Sequence, residues 1–404
     1  MSNFIDQNFE REVGFLKALI RVPSDNPPGD CACHAEKAAE LLQQLGFIVD
    51  RHRVPEALVR QYGMRSVINL VIRERFGAGK RPVIALNAHG DAVPPGQGWH
   101  HDPYGAEEKG GAIYGRGAAV SKSDFATYAF ALLALKAYPG GLDGTIELHL
   151  TFDEEAGGYL GPKFLLDQNI SKPDYAISAG FSYAVVTAHN GVLHLEVTVH
   201  GHQAHAAMPA TGADALEAAN HVLSALYGER KKLKKKKSKI RGIGSPQLNV
   251  GLISGGINTN VVPDCIVMRL DRRLIPEENG AKVERALIAL IKRADKRKGI
   301  RIECKRIILA EPLKPRAGIG KLVEPLIRHG KRELKTKIDV KGVPLYTDAR
   351  HYSAAGIPTV LYGAGPRTIL DANAHGADEH LKLSDLKAAT KVIEATLREL
   401  LSSK

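Results

Sequence analysis

The first half of the chain alternates helical and strand patterns, and the alternation stops near residue 189. Residues 4–20, 35–45 and 125–135 carry apolar side chains as helices do, whereas 82–88 and 146–152 are short apolar runs of strand length, a series that 175–177 continues. Such alternation argues for a largely parallel sheet flanked by helices. From 192 to 199 the rule changes. Leu193, Leu195, Val197 and Val199 share one face, and His194, Glu196, Thr198 and His200 the other, which marks a strand with one wet side. A helix near 213–227, strands near 247–253 and 265–270, a helix over 280–297 and a strand over 300–307 follow. Together they amount to an antiparallel sheet with two helices. The first pattern then resumes with a strand at 358–362 and a last helix at 384–401. The expected fold is α/β: residues 1–188 and 311–404 form a mostly parallel sheet flanked by helices, and 189–310 an inserted α+β domain.

The length of 404 residues is ample for two or three domains, and 44% hydrophobic with 25% charged residues is ordinary globular composition. No run approaches the roughly 18 apolar residues needed to cross a bilayer. The start of the chain lacks a basic region followed by an apolar core, so a cytoplasmic protein is expected. Four scattered cysteines are too few for a disulfide framework. Cys31-Ala32-Cys33-His34 resembles half a metal site, but it opens a helical pattern and lacks a partner pair, so helix-start packing is the better reading. The net charge of +12 is concentrated: residues 230–241 (RKKLKKKKSKIR) hold nine basic side chains and no acid, which leaves +3 elsewhere. That run has no interleaved aromatics for stacking bases. It reads as a solvated loop, and nucleic acid is not an expected partner.

Open α/β sheets place their chemistry just beyond the carboxyl ends of the strands. Two apolar runs end there in charged groups, one in His89-Gly90-Asp91 and the other in Asp153-Glu154-Glu155. Adjacent carboxylates can divide their labour, one holding a metal while the other takes a proton from water. A late histidine, in Ala374-His375-Gly376, supplies a further donor.

These motifs have further company. Asn87-Ala88-His89-Gly90-Asp91, Tyr114-Gly115-Arg116-Gly117-Ala118, Asp153-Glu154-Glu155, Gly201-His202-Gln203-Ala204-His205, Gly256-Ile257-Asn258-Thr259-Asn260, Thr347-Asp348-Ala349-Arg350 and Ala374-His375 occur in that order. In that order they resemble the aminoacylase, acetylornithine deacetylase, succinyl-diaminopimelate desuccinylase and glutamate carboxypeptidase superfamily of metallohydrolases. The resemblance implies that His89, Glu155 and His375 bind metal and that Asp91 fixes the His89 ring. It makes Glu154 the general base and His205 the stabiliser of an oxyanion. Asn260 and Arg350 would hold a substrate carboxylate, and the inserted domain would form a homodimer. His200 and His202 have no motif position and are expected at the surface.

Two positions depart from the pattern. Relatives carry an aspartate bridging two metals at the place of Val120, 34 residues before Glu154, and another acid where this chain has Ile177-Ser178-Ala179-Gly180-Phe181. Valine cannot bind a cation. One ion per chain, zinc or manganese, is therefore expected, held by two histidines and a carboxylate with an open position. Asp124, four residues past Val120, could face the same way on a helix, but it is not an expected ligand. The expected function is metal-dependent hydrolysis of a C–N bond in a small substrate bearing a carboxylate. Two alternatives accompany it: hydrolytic removal of an amino group from an aromatic ring, with Phe181 and Tyr183 beside it, and a non-catalytic protein that kept the fold.

Overall fold

The computed structural model describes residues 4–402. The chain divides into two compact units, one comprising Met1–Thr187, Pro315–Lys341 and Thr347–Lys404, the other Ala188–Lys314 with Gly342–Tyr346.

The first unit is built on an eight-stranded mixed sheet. Its centre is parallel: Val83–His89 lies between Gly144–Thr151 and Tyr175–Ser178, and Thr359–Leu361 follows on the far side of the last. Ile68–Phe76 and Asp50–Arg53 add antiparallel strands at one edge. Every residue of Gly144–Thr151 is buried, as expected of a strand covered on both faces. The helix Lys122–Ala137 is buried nearly all round because Phe4–Ile20 and Leu383–Leu401 pack onto it. It has an apolar surface on every side rather than one stripe. Each fully buried leucine here, such as Leu86 or Leu148, contributes roughly 1.5–3 kcal/mol of burial free energy.

The second unit is a four-stranded antiparallel sheet in the order Gln247–Gly255, Cys265–Leu274, Gly191–His200, Arg301–Ala310. Helices Ala215–Leu233 and Gly280–Ala294 pack on it, and its core gathers Leu193, Leu195, Val197 and Val199 with Val222 and Leu226. The α/β architecture with a separate antiparallel domain is therefore as expected.

The basic run differs from its sequence reading. The first of these helices does not end at Tyr227 but continues to Leu233, so Arg230, Lys231 and Lys232 form its last turn. Leu233 anchors that turn in the core, and cations at a helix C-terminus are favoured by its dipole. Only Lys234 onward is the exposed turn expected for the whole run.

Candidate metal centre

Parallel pairing delivers the site. His89 is opposite Thr151 in register, so His89-Gly90-Asp91 and Asp153-Glu154-Glu155 leave the sheet side by side at its carboxyl edge. The Gly90 N–H donates to Thr151 O at 2.8 Å and prolongs the ladder by one step. Beyond it, Asp91 does two jobs. One carboxylate oxygen accepts from the Glu154 N–H (3.2 Å), the other from the Glu155 N–H (3.1 Å) and from Asn26 Nδ2 (3.0 Å). The His89 Nδ1 lies 3.0 Å from Asp91 O and 3.3 Å from its Oδ1, which turns Nε2 outward. A carboxylate behind a ligating imidazole is the usual way of fixing its ring and tautomer.

Donor atoms of His89, Glu154 and Glu155 all lie within 4.8 Å of one another. His375 Nε2 is 3.3 Å from Glu155 Oε1, a buried oxygen that accepts no hydrogen bond among the described residues. One imidazole and two carboxylates gathered this way suit a divalent cation, and His375, the third ligand expected from the sequence, lies against Glu155.

The electrostatics agree. Burial disfavours the charged form of His89, yet Asp91, Glu154 and Glu155 outweigh it and hold the imidazole well above its usual range. Glu154 is pushed well above the carboxylate range by desolvation; His89 opposes this, while Glu155, Asp348 and Asp91 reinforce it. His375 is raised by Glu155 against desolvation. This is a crowded acidic site that favours an added positive charge.

The turn after Glu155 is tightly supported. Gly158 adopts a φ of +69°, and a Cβ there would lie 2.0 Å from Asp348 Oδ1. Arg350, expected to hold substrate, is buried; its guanidinium donates to Gly157 O and faces the Tyr159 ring, with His351 Nε2 3.0 Å from the same carbonyl. In this arrangement Arg350 supports the turn that carries the acidic pair. The sequence reading gave no role to Asp348 or Asp153. Both are buried behind the pair, with Asp348 pushed to about 7 by burial, His89 opposing and Asp91 adding to the shift. Their only sequence signal was membership of the quoted motifs.

The two departures are visible in the structure. Val120 is half-buried and offers no donor side chain, although its N–H donates to Glu379 Oε1 at 3.2 Å. At Gly180 a Cβ would meet the backbone of Leu361 and Tyr362 at 2.8 Å, so no carboxylate fits there, and Ser178 Oγ is committed to Asn87 Oδ1 at 2.9 Å. Asp124 does not join the cluster. Its Oδ1 accepts the Ala364 N–H at 2.7 Å and ties its helix to the loop after the strand Thr359–Leu361. Tyr183 donates to Asp385 Oδ1 at 2.7 Å and lines a cavity of about 150 Å³ with Arg367, His380 and Lys382. His34 is buried against Phe125 and Phe152 at the start of the helix Ala32–Gln44, and Cys31 is buried beside it.

The second unit carries the other two expected residues, both exposed. His205 pairs with Val261, and the Ala206 N–H donates to Asn260 O at 3.0 Å, so the two segments lie side by side. His205 Nδ1 accepts from the Ala207 N–H at 3.1 Å. His202 is exposed and His200 partly so, its Nε2 3.3 Å from Glu303.

Residues 85–399 match peptidase family M20/M25/M40. The chain belongs to that family. A succinyl-diaminopimelate desuccinylase from Acidiphilium cryptum is 32% identical over 206 residues, 49% of this chain and 51% of that protein, so the chain spans about half the length of this relative. Among solved structures, an M20 family metallo-carboxypeptidase from Sulfolobus solfataricus superposes with a TM-score of 0.75 at 19% identity, covering 98% of this chain and 99% of the other. A dinuclear metal-binding peptidase of the M20 family from Bacillus subtilis gives a TM-score of 0.70 at 15% identity over 98% and 100% of the two chains. At these identities the M20 structures bear on the fold alone. Among the described residues no helix is long and apolar enough to cross a membrane.

Proposed function

We propose that this M20 family chain is a metal-dependent hydrolase that cleaves a C–N bond, most simply an amide, in a small substrate bearing a carboxylate. The observation that carries the reading is the convergence of His89, Glu154 and Glu155 within 4.8 Å, with His375 against Glu155. His89, Glu155 and His375 would hold one divalent ion, zinc or manganese. The count of one rests on Val120 and on the closed backbone at Gly180. The ion supplies Lewis-acid polarisation of the scissile carbonyl and of the attacking water.

The chain's own residues do the rest. Glu154, with a carboxylate raised well above its usual range, is basic enough to take the proton of the attacking water and later return it to the leaving nitrogen. Asp91 keeps His89 oriented and holds the Glu154-Glu155 turn by its backbone. His205 is assigned to the developing oxyanion. Asn260 and Arg350 are assigned to the substrate, Arg350 exchanging the Gly157 carbonyl for a substrate carboxylate. The reading includes a homodimer through the second unit. Its edge strand Gln247–Gly255 pairs on one side only and exposes Leu252 (61%) and Ile253 (51%), an edge suited to a second copy.

The deciding experiment is elemental analysis of the purified protein combined with a screen of N-acyl amino acids and dipeptides. We expect about one ion per chain, and we expect Glu154→Gln to lower kcat by roughly 10²–10⁴ while the ion is retained. A protein without divalent metal, or a fully active Glu154→Gln, defeats the reading.

A further inference from the structure

The two imidazoles of the centre come from distant segments, and one buried ion pair touches the backbone at His375 and, through the turn ending in Ser121, reaches that of His89. Arg116 follows the strand Ala112–Tyr114, and Glu379 precedes His380–Lys382; these strands pair antiparallel with Tyr114 opposite His380. The Gly115 N–H donates to Glu379 O at 2.8 Å and continues that ladder, which brings the two side chains together. Arg116 Nη1 lies 2.5 Å from Glu379 Oε2, with the side chains 1% and 0% exposed.

Arg116 grips the segment of His375, and Glu379 the segment that leads to His89. Arg116 Nη2 donates to Gly376 O (3.1 Å), His375 O (3.4 Å) and Pro95 O (3.1 Å). Glu379 Oε1 accepts the N–H groups of Ala119 (3.0 Å) and Val120 (3.2 Å). The next residue, Ser121, completes the second path: its Oγ accepts from His89 N and donates to His89 O, both at 3.0 Å. One ion pair therefore connects the His375 main chain to the His89 main chain.

The His375 backbone needs such support. Its φ is +64°, in the left-handed region that disfavours a side chain, and residues held there persist only where their surroundings over-determine them. The Arg116 guanidinium supplies two carbonyl contacts at that point, to His375 O and Gly376 O.

We infer that the Arg116–Glu379 pair is a positioning clamp that sets the separation of His89 and His375 and so the affinity of the centre for its cation. The inference rests on the ligand assignment proposed above. Glu379 and Arg116 do not touch substrate or ion; they act through the two histidines. The clamp also gives the segment of Val120 a function in a chain without a donor at that position, because the Val120 N–H rather than its side chain takes part.

The test measures Co²⁺ binding to metal-free protein, by chelator competition and by the visible absorption of the bound ion. Glu379→Gln is expected to weaken the dissociation constant ten- to a hundred-fold and to alter the absorption band, as loss of a residue that orients ligands does. Glu379→Asp should fall between the two and carries the test if Glu379→Gln does not fold. The second unit contains a comparable buried pair, Arg272–Glu278, both side chains 4% exposed, and it serves as control. Glu278→Gln should lower the melting temperature without changing Co²⁺ affinity or spectrum. A folded Glu379 variant that binds Co²⁺ with wild-type affinity and spectrum overturns the clamp, as does Glu278→Gln weakening the ion equally. A wild-type protein that takes up no Co²⁺ removes the ligand assignment itself, and the clamp with it.

Discussion

At the scale of single residues, a cation at the centre competes with protons for the same groups. Glu154 and His89 are both raised well above their ordinary values, Glu154 by burial and neighbouring carboxylates, His89 by the carboxylates against burial. The shift of His89 favours its protonated ring, whereas ligation requires the imidazole nitrogen free. Adding Zn²⁺ or Mn²⁺ to metal-free protein in weak buffer at pH 7 should release at least about one proton per ion bound, read with an indicator dye. Uptake without release would mean either that the cluster is already deprotonated or that the ion binds elsewhere. His89, Glu154 and Glu155 were legible because each stands in a short motif at or just past a strand end, and His375 because of the short motif around it. Arg116 and Glu379 were not legible as partners. They are 263 positions apart, and only the pairing of two three-residue strands brings them together.

At the scale of elements, alternation was the dependable signal. The strand Gly191–His200 keeps its apolar face buried through its length and could be read directly. The strand Ile68–Phe76 could not, because Arg73-Glu74-Arg75 interrupts its apolar run. Arg73 is accommodated by Glu147 of the neighbouring strand at 2.6 Å, a tertiary compensation that a single sequence does not display. A similar concealed pairing joins the first and last helices. Glu12 of Phe4–Ile20 is fully buried and accepts from Thr390 of Leu383–Leu401, while its Oε2 has no described partner. Burial raises this carboxyl from 4.5 to about 8, with Thr390 and Lys387 opposing. The folded value lies above the unfolded one, so its stabilising contribution is complete below about pH 4.5 and is lost as pH rises through about 8. Glu12→Gln keeps an acceptor oxygen and cannot ionise. We expect it to match the wild type near pH 5 and to exceed it at pH 9 by on the order of 2–4 kcal/mol in chemical denaturation. An equal difference at both pH values would place the effect in packing rather than in ionisation.

At the scale of the whole molecule, the two units have separate hydrophobic cores, and the candidate ligands belong to one of them. His89, Glu154, Glu155 and His375 all fall in the unit built on the mixed sheet, whereas the antiparallel unit contributes none. A ligand stabilises only the cooperative unit whose folded state binds it. Calorimetry of the metal-free protein should therefore resolve two transitions that respond differently to a divalent cation. At a thousand-fold excess over the dissociation constant, the stabilisation is about 4 kcal/mol, which for a unit of this size moves a melting temperature by roughly 10 °C. The transition of the mixed-sheet unit should rise by that order while the other stays in place. The Glu278→Gln variant identifies the second transition, because Arg272 and Glu278 are buried in the antiparallel unit. A single transition that the ion moves as a whole would mean that the two units unfold as one, and an ion that shifts only the second would move the metal centre out of the mixed-sheet unit altogether.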